Sequence, residues 1–368
     1  MLSRRQFGIS TGLLAASPLG LTGCTPSSAD GDYEKAVAGT WQTPLQDVSN
    51  SLLLRRELVR YATLAASSHN TQCWKFAIEE KSISIFPDLR RRLMAVDPDD
   101  HHLYVSLGCA TENLIQAARA NGLKGEAVFE TAPADRVKIN MVPAQALESP
   151  LFRAISKRQC TRTEFDGQPV SKEDLQLLML AGTGKGVQLM LLAEKPMMEK
   201  VLEYVVQGNT AQMKDPAFVA ELKAWIRFNE AEAVRTGDGL FARSSGNPSV
   251  PRWLASPLFP AFFRTDSEND KYAKHIRSSS GIAVFVSDAN DKAHWIEAGR
   301  CYERFALQAA ALGIRNAFLN QPVEVSTLRP QFASFLDVGE RRPDLVVRFG
   351  RGPLMPRSLR RPQDAVLV

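Results

Sequence analysis

The sequence predicts an α+β protein assembled from two tandem half-units, and three observations lead there. Helical and strand-like segments alternate twice along residues 50–368. One helix of the first half recurs in the second at a constant offset. Turn and cap residues punctuate both halves, while the opening residues read as targeting sequence.

Those opening residues run Ser3-Arg4-Arg5-Gln6-Phe7, then an apolar stretch to Gly23, then Cys24. The stretch falls short of the roughly 20 residues that span a bilayer, and Gly12, Pro18, Gly20 and Gly23 interrupt it. Ser-Arg-Arg-x-Phe resembles a twin-arginine signal, and Leu21-Thr22-Gly23-Cys24 resembles a bacterial lipobox. Residues 1–23 are therefore expected to be a signal peptide, with the twin-arginine translocase as partner in export. Cys24 is the expected lipidation site, since acylation there anchors a chain stably. The lipobox resemblance implies that Thr25, rather than Asp, suits sorting to the outer membrane. The expected location is the periplasmic side of a bacterial membrane. Because the twin-arginine route carries folded proteins, it suits a chain that collects its cofactor first.

Residues 24–49 are rich in small and polar residues and read as a tether. The remaining chain, about 320 residues, can bury a substantial core. Basic residues number 45 and acidic 40; two arginines leave with the signal, so the mature balance is +3. No run of like charge points to nucleic acid. Cys73, Cys109, Cys160 and Cys301 lack metal or disulfide spacing and read as free, mostly buried thiols.

The first unit is expected over residues 50–150. Apolar residues spaced three and four apart predict a helix over Leu52–Ala66. Two short strands follow the polar loop, Trp74–Glu79 and Ser82–Phe86, then a helix over Leu103–Asn121 stopped by Gly122. Strands at Glu126–Glu130 and Val137–Met141 close the unit. The second unit, residues 151–368, has a helix capped by Ser171 with Asp174 in capping-box position, and a strand at Val187–Ala193. Helices over Lys195–Asn209 and Pro216–Val234 precede an irregular loop, Arg235–Phe263. A strand at Gly281–Val286, a helix over Lys292–Leu312 and a strand at Leu345–Phe349 complete it.

At an offset of 191 positions, Gly108, Glu112, Ala118, Ala120 and Gly122 align with Gly299, Glu303, Ala309, Ala311 and Gly313. Five identities in one register favour duplication over two unrelated apolar helices.

Three segments carry chemistry. Ala66-Ser67-Ser68-His69-Asn70-Thr71-Gln72-Cys73-Trp74 joins hydroxyls and carboxamides in one helix-to-strand loop, side chains that both donate and accept. Ile155-Ser-Lys-Arg158-Gln-Cys-Thr161-Arg162 places guanidinium groups where they could grip a phosphate. The tail Pro356-Arg-Ser-Leu-Arg360-Arg361-Pro362 is again basic. Together these resemble the signatures of the nitroreductase-like FMN proteins, and residues 50–365 as a whole resemble the fused, Acg-type branch. The resemblance implies a nitroreductase-like fold forming an intramolecular pseudo-dimer, hence a monomer. It implies FMN held by Ser67, Ser68, Asn70 and Gln72 from the first unit, and by Arg158, Thr161, Arg162, Arg360 and Arg361 from the second. Which of Arg158, Thr161 and Arg162 touches phosphate stays open, as does the choice between Arg360 and Arg361. In the second unit the polar loop has become Gly182-Thr-Gly-Lys-Gly186, so one FMN site is expected.

No catalytic residue is assigned. Asp97-Pro-Asp-Asp-His101-His102 reads as a helix start rather than a metal site, since adjacent helical histidines are expected to diverge. No nucleophile elbow, phosphate-binding loop or dinucleotide fingerprint occurs. Three functions remain: an FMN oxidoreductase served by a quinone or other small redox partner, an FMN-storing protein without turnover, and a flavin-free lipoprotein scaffold.

Overall fold

The computed structural model describes residues 28–42 and 51–368, so the twin-arginine motif and Cys24 lie outside the described residues. Helix α1 (Ser28–Thr40) comes first. The first unit comprises α2 (Ser51–Thr63), β1 (Trp74–Ile78), β2 (Ser82–Pro87), α3 (His101–Ala120), β3 (Leu123–Glu130) and β4 (Arg136–Pro143). After α4 (Pro150–Ala154) the same order returns: α5 (Lys172–Gly182), β5 (Val187–Leu192), β8 (Gly281–Ser287), α11 (Lys292–Ala311), β9 (Arg315–Phe318) and β10 (Arg342–Gly350). Between β5 and β8 the chain inserts α6 (Lys195–Lys214), α7 (Pro216–Trp225), β6 (Ile226–Arg227), α8 (Glu230–Thr236), β7 (Leu240–Phe241), α9 (Arg252–Phe262) and α10 (Thr265–Arg277). Two short helices, α12 (Gln321–Glu324) and α13 (Arg329–Phe335), separate β9 from β10.

The two sheets follow one path. The first has strand order β1-β2-β4-β3 and the second β5-β8-β10-β9, antiparallel throughout. This is the expected α+β architecture of two half-units.

Helices α3 and α11 cross at the centre, and their crossing repeats the internal symmetry. A Cβ on Gly108 would lie 1.9 Å from the Ile296 carbonyl oxygen; one on Gly299 would lie 1.9 Å from that of Val105. Positions 105 and 296 differ by the same 191 as the glycines, so each helix meets the other through equivalent residues. Such self-complementary contact defines a two-fold interface, here within one chain. Only glycine allows backbones this close. One continuous core contains Leu107, Ala110 and Leu114 from α3 with Tyr302, Phe305 and Ala306 from α11. Gly122 and Gly313 stop the two helices in the left-handed conformation, φ 76° and 72°.

Several local expectations are corrected. The stretch read as a tether contains α1, whose Tyr33 is buried against Phe241 and donates its hydroxyl to the Arg357 carbonyl at 2.7 Å. That docking, invisible in local composition, holds the helix. The helix expected over Pro216–Val234 breaks: Ile226 is extended and Asn229 caps a new helix, accepting from the Glu232 N–H. The loop expected over Arg235–Phe263 contains β7 and α9. Parallel pairing of β6 with β7 and the Arg227–Asp238 ion pair at 2.6 Å order it. Among the described residues, no helix is long and apolar enough to cross a membrane. Cys73, Cys109, Cys160 and Cys301 are free, and all but Cys160 are buried.

Candidate functional site

A cavity of about 300 Å³ opens between the halves, a size suited to a small molecule. The first unit contributes Ser67, Ser68, His69 and Asn70 from the loop after α2, with His102, Ser106 and Cys109 from α3. The loop backbone is unusual: His69, Asn70 and Gln72 all have positive φ, 48°, 52° and 52°. Left-handed backbone at three non-glycine residues is costly and persists only where surroundings enforce it. Here they do. The Gln72 N–H donates to the Ser67 hydroxyl at 3.1 Å, and the Asn70 amide donates to the Gly239 and Leu359 carbonyls at 3.0 and 3.2 Å. Ser67 thus keeps its O–H, and Asn70 its amide oxygen, for the cavity.

The second unit lines the cavity with Arg158, Arg162, Lys271, Arg348, Arg357 and Arg360, against the carboxylates of Glu268 and Glu324. Most of these cations are committed elsewhere. Arg360 donates to the carbonyls of Thr63, Leu64 and Ala65 at 2.7, 3.0 and 3.1 Å, capping the end of α2. Arg357 donates to Ser156 and Lys157, and Arg348 to Thr161 and Thr163. Arg158 lies beside Glu303 at 3.0 Å and donates to the Leu64 carbonyl at 2.8 Å. Arg162 differs: among the described residues its guanidinium makes no hydrogen bond or ion pair. Burial, with Arg158 close by, pushes the Arg360 guanidinium down to about 9, and burial lowers Arg348 to about 10. Burial thus disfavours the charge on Arg348, Arg357 and Arg360, a cost that an anion in the cavity would offset. Trp41, from the segment after α1, covers this end: it donates to the Ser358 carbonyl at 3.0 Å, with Arg357 and Arg360 over its ring at 4.5 and 4.9 Å.

Three predicted residues lie outside the cavity lining. Gln72 is fully buried, donating to the Gly237 carbonyl at 2.8 Å and accepting from the Arg361 N–H at 2.8 Å. Arg361 donates to the Gln72 and Ala365 carbonyls. Thr161 is buried beside Gln159, its N–H on the Asn316 carbonyl. All three hold the loop and the tail in place. Ser67, Ser68, Asn70, Arg158, Arg162 and Arg360 do share the cavity.

The equivalent position in the other half is filled. Ser106 and Cys109 have Glu297 and Arg300 as counterparts at the 191 offset, and those two form an ion pair at 2.8 Å. Arg304 adds a second contact to Glu297, at 3.3 Å. A Cβ on Gly184, within the glycine-rich loop, would fall 2.5 Å from both Cys301 Sγ and Glu297 Oε1. Small side chains keep one site open; a salt bridge closes the other.

Sequence reasoning missed the polar end of the cavity, formed by His102, Asn209, Gln212, Tyr272, Gln321 and Glu324. These come from α3, the insertion and α12, so no local motif announces them. The segment 97–102 does start a helix: the Asp97 carboxylate accepts from the His102 and Leu103 N–H groups at 3.0 and 2.9 Å. The two histidines do not diverge, however. Their ring centroids lie 4.6 Å apart, and both Nε2 atoms turn to Asp344, His101 to its carboxylate at 2.8 Å and His102 to its carbonyl at 3.4 Å.

No protein-family model matches the chain. It is similar to two Mycobacterium tuberculosis proteins named provisionally as NAD(P)H nitroreductases. One, Rv3131, is 22% identical over 310 residues, covering 81% of this chain and 85% of its own. The other, acg, is 24% identical over 326 residues, covering 84% and 94%. Among solved structures, a nitroreductase with bound FMN from Desulfitobacterium hafniense aligns at 13% identity and a TM-score of 0.38, over 60% of this chain and 97% of that one. The FMN-dependent nitroreductase NfnB of Mycobacterium smegmatis, in complex with NADPH, aligns at 15% identity and a TM-score of 0.37, over 55% and 87%.

Proposed function

We propose that this nitroreductase-like chain, a relative of the Acg-type branch, is an FMN-dependent oxidoreductase working on the periplasmic side of a membrane, anchored by lipid on Cys24. The observation that carries the reading is that Ser67, Ser68 and Asn70 of the first unit and Arg162 of the second line one cavity. The residues fit FMN: the cations exceed the carboxylates, and the Arg162 guanidinium, unpaired among the described residues, suits a phosphate. Bound FMN would supply hydride transfer through its N5 atom. This chain's residues would hold and orient it. Arg162 binds the phosphate, while Arg158, Arg348, Arg357 and Arg360 supply a fixed positive field. Ser67 and Asn70 offer a donor and an acceptor to the ring's polar edge. A site built from both halves of one chain suits a monomeric pseudo-dimer.

Export by the twin-arginine translocase and lipidation, with outer-membrane sorting, rest on residues 1–25. Outside the cytoplasm NAD(P)H is scarce, so a quinone or another small redox partner suits the role. Storage of FMN without turnover is a second reading, favoured by Trp41, Leu240, Asn247 and Phe263 in the cavity lining, which could cover a bound ring.

The test is the visible spectrum of protein recovered after export. Flavin bands are expected; a colourless protein that ignores added FMN overturns both readings. Anaerobic mixing with a quinol, NADPH and dithionite then separates them. Bleaching by a physiological donor supports the oxidoreductase, and bleaching by dithionite alone supports storage.

A further inference from the structure

At the polar end of the cavity, His102 is nine-tenths buried and its Nδ1 has no hydrogen-bond partner. Its Nε2 faces the Asp344 carbonyl, which can only accept, so Nε2 carries the proton and Nδ1 presents a bare lone pair. Two carboxyl groups stand near that lone pair. Asp97 Oδ1 and Glu324 Oε1 each lie 3.9 Å from it. Asp97, His101 and His102 also bring one potential ligand atom each within 4.8 Å of one another. Two carboxyl groups standing beside an imidazole nitrogen with no hydrogen-bond partner form an incomplete set. A positive centre completes it.

We infer that Asp97, His102 and Glu324 bind one divalent first-row metal ion on the cavity wall, with His101 close enough to join. Imidazole with carboxylate oxygens suits zinc, iron or manganese, whereas calcium prefers oxygen alone. The surroundings resemble those of a metal-binding histidine, which donates its other N–H to a carbonyl or carboxylate and is thereby oriented. Asp344 does this for both rings, through its carbonyl for His102 and its carboxylate for His101. Ligand atoms at about 2.1 Å from a tetrahedral ion stand roughly 3.4 Å apart, so each carboxyl oxygen would move about 0.5 Å toward His102 Nδ1 on binding. Glu324 is reached from the cavity by its side chain, 13% exposed, and Gln212 fixes its other oxygen at 2.7 Å. Because His102 and Glu324 both line the cavity, the ion would keep a coordination position open to it. The site is independent of whether flavin binds.

The test uses the full chain, stripped with chelator and titrated with Zn²⁺ by calorimetry and with Co²⁺ by visible absorption. One equivalent is expected, with a Co²⁺ ligand-field band and a rise in unfolding temperature. His102→Ala and Glu324→Gln should each weaken Zn²⁺ binding at least tenfold, while His294→Ala, at a half-buried histidine beside Asp291, should leave it unchanged. Circular dichroism checks that the variants fold, and Glu324→Gln alone suffices if His102→Ala does not. Absence of stoichiometric binding by the wild type, or binding that survives Glu324→Gln or disappears with His294→Ala, overturns the site.

Discussion

Nε of Arg158 lies 3.0 Å from Oε1 of Glu303, and both side chains are almost wholly removed from water. Neither atom is aligned for a hydrogen bond, so the attraction is chiefly coulombic. The other Glu303 oxygen accepts from the Ala66 N–H at 3.4 Å, tying the polar loop of the first unit to α11 of the second. Removing one partner strands a buried charge. Arg158→Met should cost about 3–5 kcal/mol by denaturant unfolding. Adding Glu303→Leu should recover part of that loss; a double variant as unstable as the sum of both singles would contradict the pairing.

The glycine crossing is equally exposed to a small change. Gly108→Ala places a methyl group against the Ile296 carbonyl, part of a backbone that cannot step aside cheaply. The helices must separate, at a cost of at least ~1–3 kcal/mol. Thermal unfolding of Gly108→Ala and Gly299→Ala should show losses of similar size, because the two contacts are equivalent. A large difference between them would argue against a two-fold crossing.

Arg162 offers the opposite case. With no side-chain partner among the described residues, Arg162→Ala should leave unfolding free energy within about 0.5 kcal/mol of the wild type. FMN affinity should fall about 10–100-fold, the worth of a charge-assisted hydrogen bond to phosphate. Riboflavin, which lacks the phosphate, is the control. Equal weakening of both ligands in calorimetry would remove Arg162 from the phosphate role.

His69 makes stability depend on acidity. Burial, with Arg162 nearby, lowers its pKa from 6.5 to about 4. Unfolded chain therefore takes up a proton at this residue near pH 6.5, whereas folded chain resists until about pH 4. The unfolded state binds more protons in that window, so stability falls as pH drops through it. His69→Asn should flatten the decline between pH 6.5 and 4 in urea titrations. An unchanged slope would assign the acid sensitivity elsewhere.

Much of this fold is written in local signals. Ser171 accepts from the Asp174 N–H as its capping spacing requires, and the stops at Gly122 and Gly313 follow from backbone that only glycine adopts without strain. The repeated α3 and α11 segments exposed the two-fold plan. What escaped depends on distant partners. Helix α1 is held by Tyr33 on Phe241, and the break at Ile226 by pairing with Leu240. At the site, motif spacing could find Ser67 and Arg162 but could not separate them from Gln72 and Arg361, whose polar groups face inward to the backbone. His102, Tyr272 and Glu324 carry no shared pattern, for they come from three unconnected elements.

The tail that follows β10 returns to the first unit, where Leu367 bridges to Phe76 and the Val368 N–H donates to the Phe76 carbonyl at 3.0 Å. The front sheet therefore gains its last neighbour from residues made almost 300 positions later. During synthesis the front half can be drafted early yet sealed only after the back half has emerged. The front sheet and the last residues of the chain therefore depend on one another for their final contacts.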